Sequence, residues 1–207
     1  MKVLMVNGSF HEGCTYTALT EIGKVLEKEG IEWEIFNVGG APLRDCIGCG
    51  GCKSLDGACV FNDDILNEFL KKACEADGYI FGSPVYFAHP SGRIISLLDR
   101  AFVAGKKLFM HKPGAVITSA RRGGTTASYD VLNKYLGLCQ MPIVSSSYWN
   151  MVHGNTPEEV LRDEEGIQTM RNLGKNMAWI LKCIELAKKN GIEVPQNEIG
   201  VRTNFIK

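Results

Sequence analysis

Apolar strand-like segments alternate with amphipathic helical segments along this chain of 207 residues. Several strand segments are continuously apolar and rich in Val, Ile and Phe, which is typical of parallel strands buried on both faces. Such alternation favours a mostly parallel sheet with helices on both faces, an α/β three-layer sandwich. We predict a five-stranded parallel sheet with strands over residues 2–7, 32–38, 79–83, 114–118 and 142–147, and helices over residues 15–30, 63–76, 90–105, 125–138 and 157–190.

Several predicted helices carry end signals in the sequence. Asp63 and Thr156 are predicted N-caps, and Pro157 follows at the first helical position of the last helix. Gly30 and Gly191 follow helical stretches, as C-terminal glycines do. We therefore predict one domain over residues 1–190, with a Cys-rich insertion loop over residues 39–62 and a C-terminal tail over residues 191–207. A connection as long as the insertion is more often functional than idle.

The charge balance limits the classes of partner. Lys plus Arg and Asp plus Glu both number 23, which argues against nucleic-acid binding and against a polybasic membrane patch. The sequence contains no apolar run of transmembrane length and no signal-peptide pattern at its start, so we expect a cytoplasmic protein without a membrane partner. Eight cysteines in that compartment point to metal binding, redox chemistry or plain burial and not to disulfides.

The segment after the first predicted strand has the features of an anion-binding loop. Residues 7–15 read NGSFHEGCT, a small-residue turn that leads into a helix N-terminus, where free backbone N–H groups and the helix dipole favour a phosphate. Cys14 stands where a nucleotide-binding P-loop has its lysine, so a single phosphomonoester suits the loop better than a triphosphate. An ordinary strand-to-helix turn capped by Thr15 is the alternative.

Two further loops follow predicted strands, and they read GSPVYFAHP over residues 82–90 and SARRGGTT over residues 119–126. In an open parallel sheet, ligands bind beyond the carboxyl ends of the strands, so these loops and the first are expected to share one edge. Alternatively, Tyr86 and Phe87 are core aromatic residues, and Arg121 and Arg122 are a solvated surface pair.

Four cysteines lie within fourteen residues of the insertion loop, as Cys46-x2-Cys49-x2-Cys52-x6-Cys59, among several glycines. Thiolates at this spacing on a glycine-rich loop suit a [4Fe–4S] cluster. A structural zinc is less suited, because its ligands usually come as two pairs joined by a longer segment. Burial of small thiols without any metal is the third possibility. The remaining Cys74, Cys139 and Cys183 are predicted to be core residues.

Three segments in this order and spacing, NGSFHEGCTYTAL, GSPVYFAHPSGRIISLLDRAF and SARRGGTT, resemble the flavodoxin-like NADPH-dependent FMN reductase family, which includes the iron–sulfur flavoproteins. The resemblance is strong over about residues 2–102 and weak in the last third. It implies a flavodoxin-like fold, bound FMN, and a compact cysteine motif that holds a [4Fe–4S] cluster.

The resemblance also implies roles for matching residues. The phosphate of FMN would be held by Ser9, His11, Gly13, Cys14 and Thr15. The isoalloxazine ring would be lined by Pro84, Val85, Tyr86 and Phe87 and closed on its far side by Ala120, Arg121, Gly123 and Gly124. Cys46, Cys49, Cys52 and Cys59 would be the cluster ligands.

This chain departs from the family pattern in two loops. Ala88 stands where members often have glycine, and Phe10 and His11 replace Pro and Arg in the first loop. His11 and backbone amides would then compensate the phosphate charge in place of an arginine.

The expected function is an FMN-dependent oxidoreductase that takes electrons from NAD(P)H and passes them to a quinone, a flavin or another small acceptor. The alternative is an iron–sulfur flavoprotein that transfers electrons to a redox partner protein. A third hypothesis is a flavodoxin-like binding module without flavin. No side chain is required as a general acid or base, since the cofactor carries the chemistry. Family resemblance implies a homodimer or homotetramer.

Overall fold

The computed structural model describes residues 1–198 and 200–206. Its sheet contains the strands β1 Lys2–Asn7, β2 Glu32–Asn37, β3 Gly78–Tyr86, β4 His89–Pro90, β5 Gly114–Ala120 and β6 Met151–His153. The helices are α1 Cys14–Lys28, α2 Leu66–Cys74, α3 Gly92–Ala104, α4 Lys106–Phe109, α5 Thr125–Leu138, α6 Pro157–Arg162 and α7 Glu164–Lys189, with a short 3-10 turn at Gly51–Ser54.

Five strands form a parallel sheet in the order β2-β1-β3-β5-β6, and the short β4 pairs antiparallel with β3. Alternate residues of each buried strand point to opposite faces. Leu4 and Val6 of β1 join the core beneath α2, α3 and α5, whereas Val3 and Met5 join the core beneath α1 and α7. The structure therefore has the three layers that the sequence predicts.

The predicted fifth strand is wrong in position. Residues 142–147 touch β5 through one bridge, Ile143 to Gly114, and the paired strand is Met151–His153. Three serines then contact α7: Asn176 donates to the Ser145 carbonyl at 2.8 Å, Ser146 Oγ donates to the Thr169 carbonyl at 2.6 Å, and Asn172 Nδ2 donates to Ser147 Oγ at 3.0 Å. After the single bridge to β5, this segment is thus held by α7 and not by the sheet.

The last predicted helix is also divided. α6 ends before Asp163, whose carboxylate accepts hydrogen bonds from Gly166 N at 3.0 Å and from His153 N at 2.6 Å. A Cβ on Gly166 would lie 2.3 Å from that carboxylate, so a larger residue there would displace it. Asp163 therefore serves as a second N-cap, a role that the sequence analysis missed.

The other predicted helix ends are partly confirmed. Thr156 is an N-cap that accepts from Glu159 N, and Gly30 and Gly191 have φ of +75° and +77° beyond their helices. Asp63 is not an N-cap, because α2 begins three residues later and Asp63 pairs with Arg44 instead.

The domain boundary predicted at residue 190 stays a prediction. The tail over residues 191–207 includes residues 199 and 207, which lie outside the described part of the chain. Among the described residues, no helix is both long enough and apolar enough to cross a membrane.

Candidate functional site

The loop between β1 and α1 is folded around Asn7, which is fully buried at the end of β1. Its Nδ2 donates to the His11 carbonyl at 3.1 Å and to Asn37 Oδ1 at 3.0 Å, and its Oδ1 accepts from Ser9 N at 3.2 Å. Sequence reasoning missed this residue. The available signal is a single amide side chain at the end of an otherwise apolar strand.

A close backbone approach at Gly8 joins the first loop to the second. Gly8 N donates to the Gly82 carbonyl at 2.8 Å, and Ser91 Oγ donates to the Gly8 carbonyl at 2.7 Å. A Cβ on Gly8 would lie 2.8 Å from the Gly82 oxygen. Ser83 Oγ in turn accepts from Ser91 N at 2.9 Å, so the two loops are fixed relative to each other.

The N-terminus of α1 has no side-chain cap. Gly13 is its N-cap residue, and the first amides of a helix lack intrahelical acceptors, which leaves them available to an anion. Ser9 Oγ lies 3.3 Å from His11 Nδ1 beside this terminus, and the His11 ring lies against Gly13. The terminus thus combines free amide donors with a hydroxyl and an imidazole.

Thr15 and Cys14 also have partners inside the protein. The buried Thr15 hydroxyl hydrogen bonds to Ser119 Oγ at 2.7 Å, which ties α1 to the end of β5. Cys14 Sγ lies 3.6 Å from the Gly154 carbonyl, and burial raises the pKa of its thiol. Cys14 is therefore a neutral group that does not repel a phosphate.

The second loop is a tight hairpin between β3 and β4. Phe87 and Ala88 have left-handed φ of +51° and +58°, which residues other than glycine seldom adopt. Tyr86 is half exposed and Phe87 fully exposed, so the alternative interpretation of these two as core aromatic residues is wrong. Pro84 and Val85 are half-buried beneath them.

Relief of this strained turn is a measurable prediction. Ala88→Gly should leave the free energy of unfolding unchanged or raise it by up to about 1 kcal/mol, because the left-handed penalty exceeds the entropy that glycine adds to the unfolded chain. Ala127→Gly, on the exposed face of α5, should lower it by about 0.5–1 kcal/mol. Urea denaturation compares the variants, and equal destabilisation by both would show that the turn carries no strain.

The third loop packs directly against the second. Gly124, the N-cap residue of α5, has a φ of +92°, and a Cβ there would lie 2.7 Å from Ala88 Cα. A Cβ on the neighbouring Gly123 would meet nothing within 4 Å. Arg121 is exposed, and Ala120 ends β5. The two loops therefore meet at a glycine contact that leaves Arg121 facing solvent.

Two aromatic residues directly precede β6. Tyr148 and Trp149 are about half exposed, with ring centroids 5.0 Å apart. The chain behind them is fixed by Asn150, whose carbonyl accepts from Thr118 N at 3.0 Å and whose Nδ2 donates to the Val116 carbonyl at 3.1 Å.

The insertion loop surrounds a cavity of about 260 Å³. All four cysteines of the motif line it, together with Arg100, Val103 and Ala104 of α3; the four are Cys46, Cys49, Cys52 and Cys59. Cys46 and Cys49 are exposed, and Gly48, Gly50 and Gly57 have left-handed φ between +65° and +88°. In the described residues, no three His, Cys, Asp or Glu side chains lie close enough together to hold one metal ion.

Cys59 is the most firmly held of these cysteines. Its N–H donates to Asn67 Oδ1 at 2.8 Å, and its carbonyl accepts from Asn67 Nδ2 at 2.9 Å. Arg100 Nη2 donates to its sulfur at 3.4 Å. The number and type of donors, four thiols around one cavity, are those of an iron–sulfur cluster site. Cys59 is anchored, and the other three cysteines lie on a glycine-rich segment.

Arg100 and Asp64 form a buried ion pair beneath the cavity, each only 2% exposed. Burial opposes ionisation of Asp64, but hydrogen bonds from Arg100 and from backbone N–H groups keep its pKa below the ordinary value. Arg100 therefore ties α3 to Asp64 and to Cys59 of the insertion loop. Of the cysteines predicted to be core, Cys139 is buried, whereas Cys74 and Cys183 are exposed and that prediction is wrong.

The three loops follow β1, β3 and β5, and the strand order reverses between β1 and β3, where open α/β sheets bind their ligands. This arrangement defines a flavodoxin-like α/β protein. Residues 1–156 match the family described as NADPH-dependent FMN reductase. The chain belongs to this family.

Relatives of the chain extend the comparison over nearly its full length. An iron-sulfur flavoprotein of Methanocaldococcus jannaschii is 36% identical over 194 residues, which cover 89% of this chain and 100% of the relative. An iron-sulfur flavoprotein of Archaeoglobus fulgidus is 31% identical over 194 residues, which cover 91% and 93%. The solved structure of a flavodoxin from the domain Archaea has a TM-score of 0.61 at 15% identity, over 88% of this chain and 99% of that chain. The predicted family and fold class are confirmed.

Proposed function

We propose that this protein is an FMN-dependent oxidoreductase that takes electrons from NAD(P)H and passes them to a small acceptor. Family membership supports flavin-based oxidoreduction. The observation that carries the proposal is the contact between three loops at the sheet edge: Gly8 joins the first loop to the second, and Gly124 joins the second to the third. FMN would supply the redox chemistry by accepting a hydride and releasing electrons singly.

The residues at this edge divide the binding of FMN between them. The phosphate would meet the amides at the N-terminus of α1, with Ser9, His11, Gly13, Cys14 and Thr15 around it. The positive end of the helix dipole favours a dianion there, and the uncharged Cys14 thiol does not repel it. The ring would be lined by Pro84, Val85, Tyr86 and Phe87, and closed by Ala120, Arg121, Gly123 and Gly124. The exposed Arg121 would add positive charge beside the flavin or meet NADPH.

Comparison of FMN with riboflavin tests this division. Flavin-free protein should quench the fluorescence of FMN on titration, whereas riboflavin should bind at least about tenfold more weakly, because charge-assisted hydrogen bonds to the phosphate are lost. Isothermal calorimetry provides an independent measure of both affinities. Equal affinity for the two flavins would exclude the α1 terminus as the phosphate site, and no uptake of either would favour a module without flavin.

The cysteine cavity supports a second candidate function, an iron–sulfur flavoprotein that transfers electrons to a redox partner protein. Cys46, Cys49, Cys52 and Cys59 would hold a [4Fe–4S] cluster there, and the relatives' names agree with this. Protein purified without oxygen should contain FMN, iron and sulfide. Cys49→Ser should lose most of the iron, whereas Cys74→Ser, an exposed cysteine outside the loop, should keep it.

Turnover distinguishes the two functions. Rapid NADPH oxidation with a quinone or free flavin would support the reductase, and slow turnover with a full complement of iron would support the electron-transfer protein. Zinc in place of iron, or no metal in protein prepared anaerobically, would contradict the cluster. We also propose a homodimer or homotetramer, since Phe87 leaves aromatic surface exposed at the flavin edge and Trp149 is half exposed before β6.

A further inference from the structure

Arg100 holds a buried positive charge whose hydrogen bonds are incomplete. Its Nη1 pairs with Asp64 and donates to the Arg44 carbonyl at 3.3 Å, and its Nη2 donates to Cys59 Sγ at 3.4 Å. Its Nε is buried and has no partner in the part of the chain that the structure describes. A buried N–H without an acceptor costs about 1–3 kcal/mol, so native proteins seldom leave one unpaired.

The position of this side chain indicates what completes it. Arg100 lines the same cavity as the four cysteines, and the carboxylate beside it, Asp64, is already engaged by Arg100 itself and by the amides of Leu66 and Arg44. The remaining acceptors would come from inside the cavity. A cluster held by four thiolates is anionic and offers sulfur acceptors, and hydrogen bonds to its sulfurs are among the factors that set its reduction potential.

We propose that Arg100 is the positioning residue of the cysteine cavity: its Nη2 holds Cys59 Sγ in place, and its Nε donates to a sulfur of the bound cluster. The inference depends on the iron–sulfur cluster of the proposed function. Because a hydrogen bond from Nε to a cluster sulfur stabilises the more negative, reduced form of the cluster, loss of that bond should shift the reduction potential to more negative values.

Arg100→Lys tests the inference, since lysine keeps the charge beside Asp64 but has neither the Nε donor nor the planar fork. We expect the cluster to remain and its one-electron reduction equilibrium constant to fall about tenfold, which corresponds to about 59 mV. The measurement is a redox titration with dithionite, followed by electron paramagnetic resonance. Lys53→Gln is the matched control, because it removes a positive charge from the cavity lining without removing a hydrogen bond to Cys59, and its shift should be much smaller.

The outcomes separate this inference from the proposed function. A wild-type protein without iron after anaerobic reconstitution overturns both. Wild-type protein with a cluster and an unchanged potential in Arg100→Lys, or equal shifts in Arg100→Lys and Lys53→Gln, overturns the role of Arg100 alone. If Arg100→Lys does not fold, the neutral pair Arg100→Met with Asp64→Asn replaces it, with the same negative shift expected and an unchanged potential again decisive against the role.

Discussion

Replacement of Asp64 by asparagine is expected to lower the free energy of unfolding by about 3–5 kcal/mol, because it leaves the Arg100 guanidinium buried without a counter-charge. Both side chains are 2% exposed, so water cannot replace the lost partner. The same substitution should weaken the attachment of the insertion loop at Arg44, since the Asp64 carboxylate also accepts a hydrogen bond from Arg44 N. Urea denaturation of the flavin-free protein, followed by circular dichroism, measures the effect.

The adjacent residue provides the control for this prediction. Asp63 pairs with Arg44, but the two side chains are 53% and 52% exposed, and exposed ion pairs contribute about 0–1 kcal/mol. Asp63→Asn should therefore change stability by no more than that amount. Similar losses for the two variants would mean that burial does not distinguish the pairs and that the Arg100–Asp64 contact is not the main support of this region.

The second large effect is expected at Gly124. A methyl group there would lie 2.7 Å from Ala88 Cα, and the alanine would have to adopt a φ of +92°. The second and third loops could then not keep their contact. We expect Gly124→Ala to weaken FMN binding at least about tenfold, since separation of the loops that costs only about 1.4 kcal/mol of binding free energy has that consequence. Fluorescence titration gives the affinity, and thermal unfolding reports whether the fold survives.

Gly137→Ala is the matched control, because the added methyl group meets open space near the other end of the same helix, α5, outside the three loops. Its affinity for FMN should stay within about twofold of the wild-type value, since surface substitutions away from special backbone conformations have small effects. If Gly124→Ala binds FMN as well as Gly137→Ala does, the contact between these loops does not shape the flavin site.

Local pattern was enough to predict the layered parallel fold and most of its elements. The buried strand β1 is continuously apolar over residues 3–6, and helix caps such as Thr156 are signalled by residue types within a few positions. These signals come from residues that are close together in the sequence, so a single sequence is enough to detect them. The same local logic placed three loops at the carboxyl edge of the sheet, where the structure brings them into contact. Their contacts with FMN stay predictions.

What the sequence determined by itself is the alternation of strands and helices, the small-residue loops and the cysteine spacing. Tertiary structure alone decided which edge segment pairs with β5, because the serines of residues 145–147 find partners on α7, which follows them in the chain. It also decided that Asn7 organises the first loop and that Arg100 reaches Cys59, 41 residues away in sequence. Hydrogen bonds over such separations depend on how the layers pack, and no local periodicity encodes that packing.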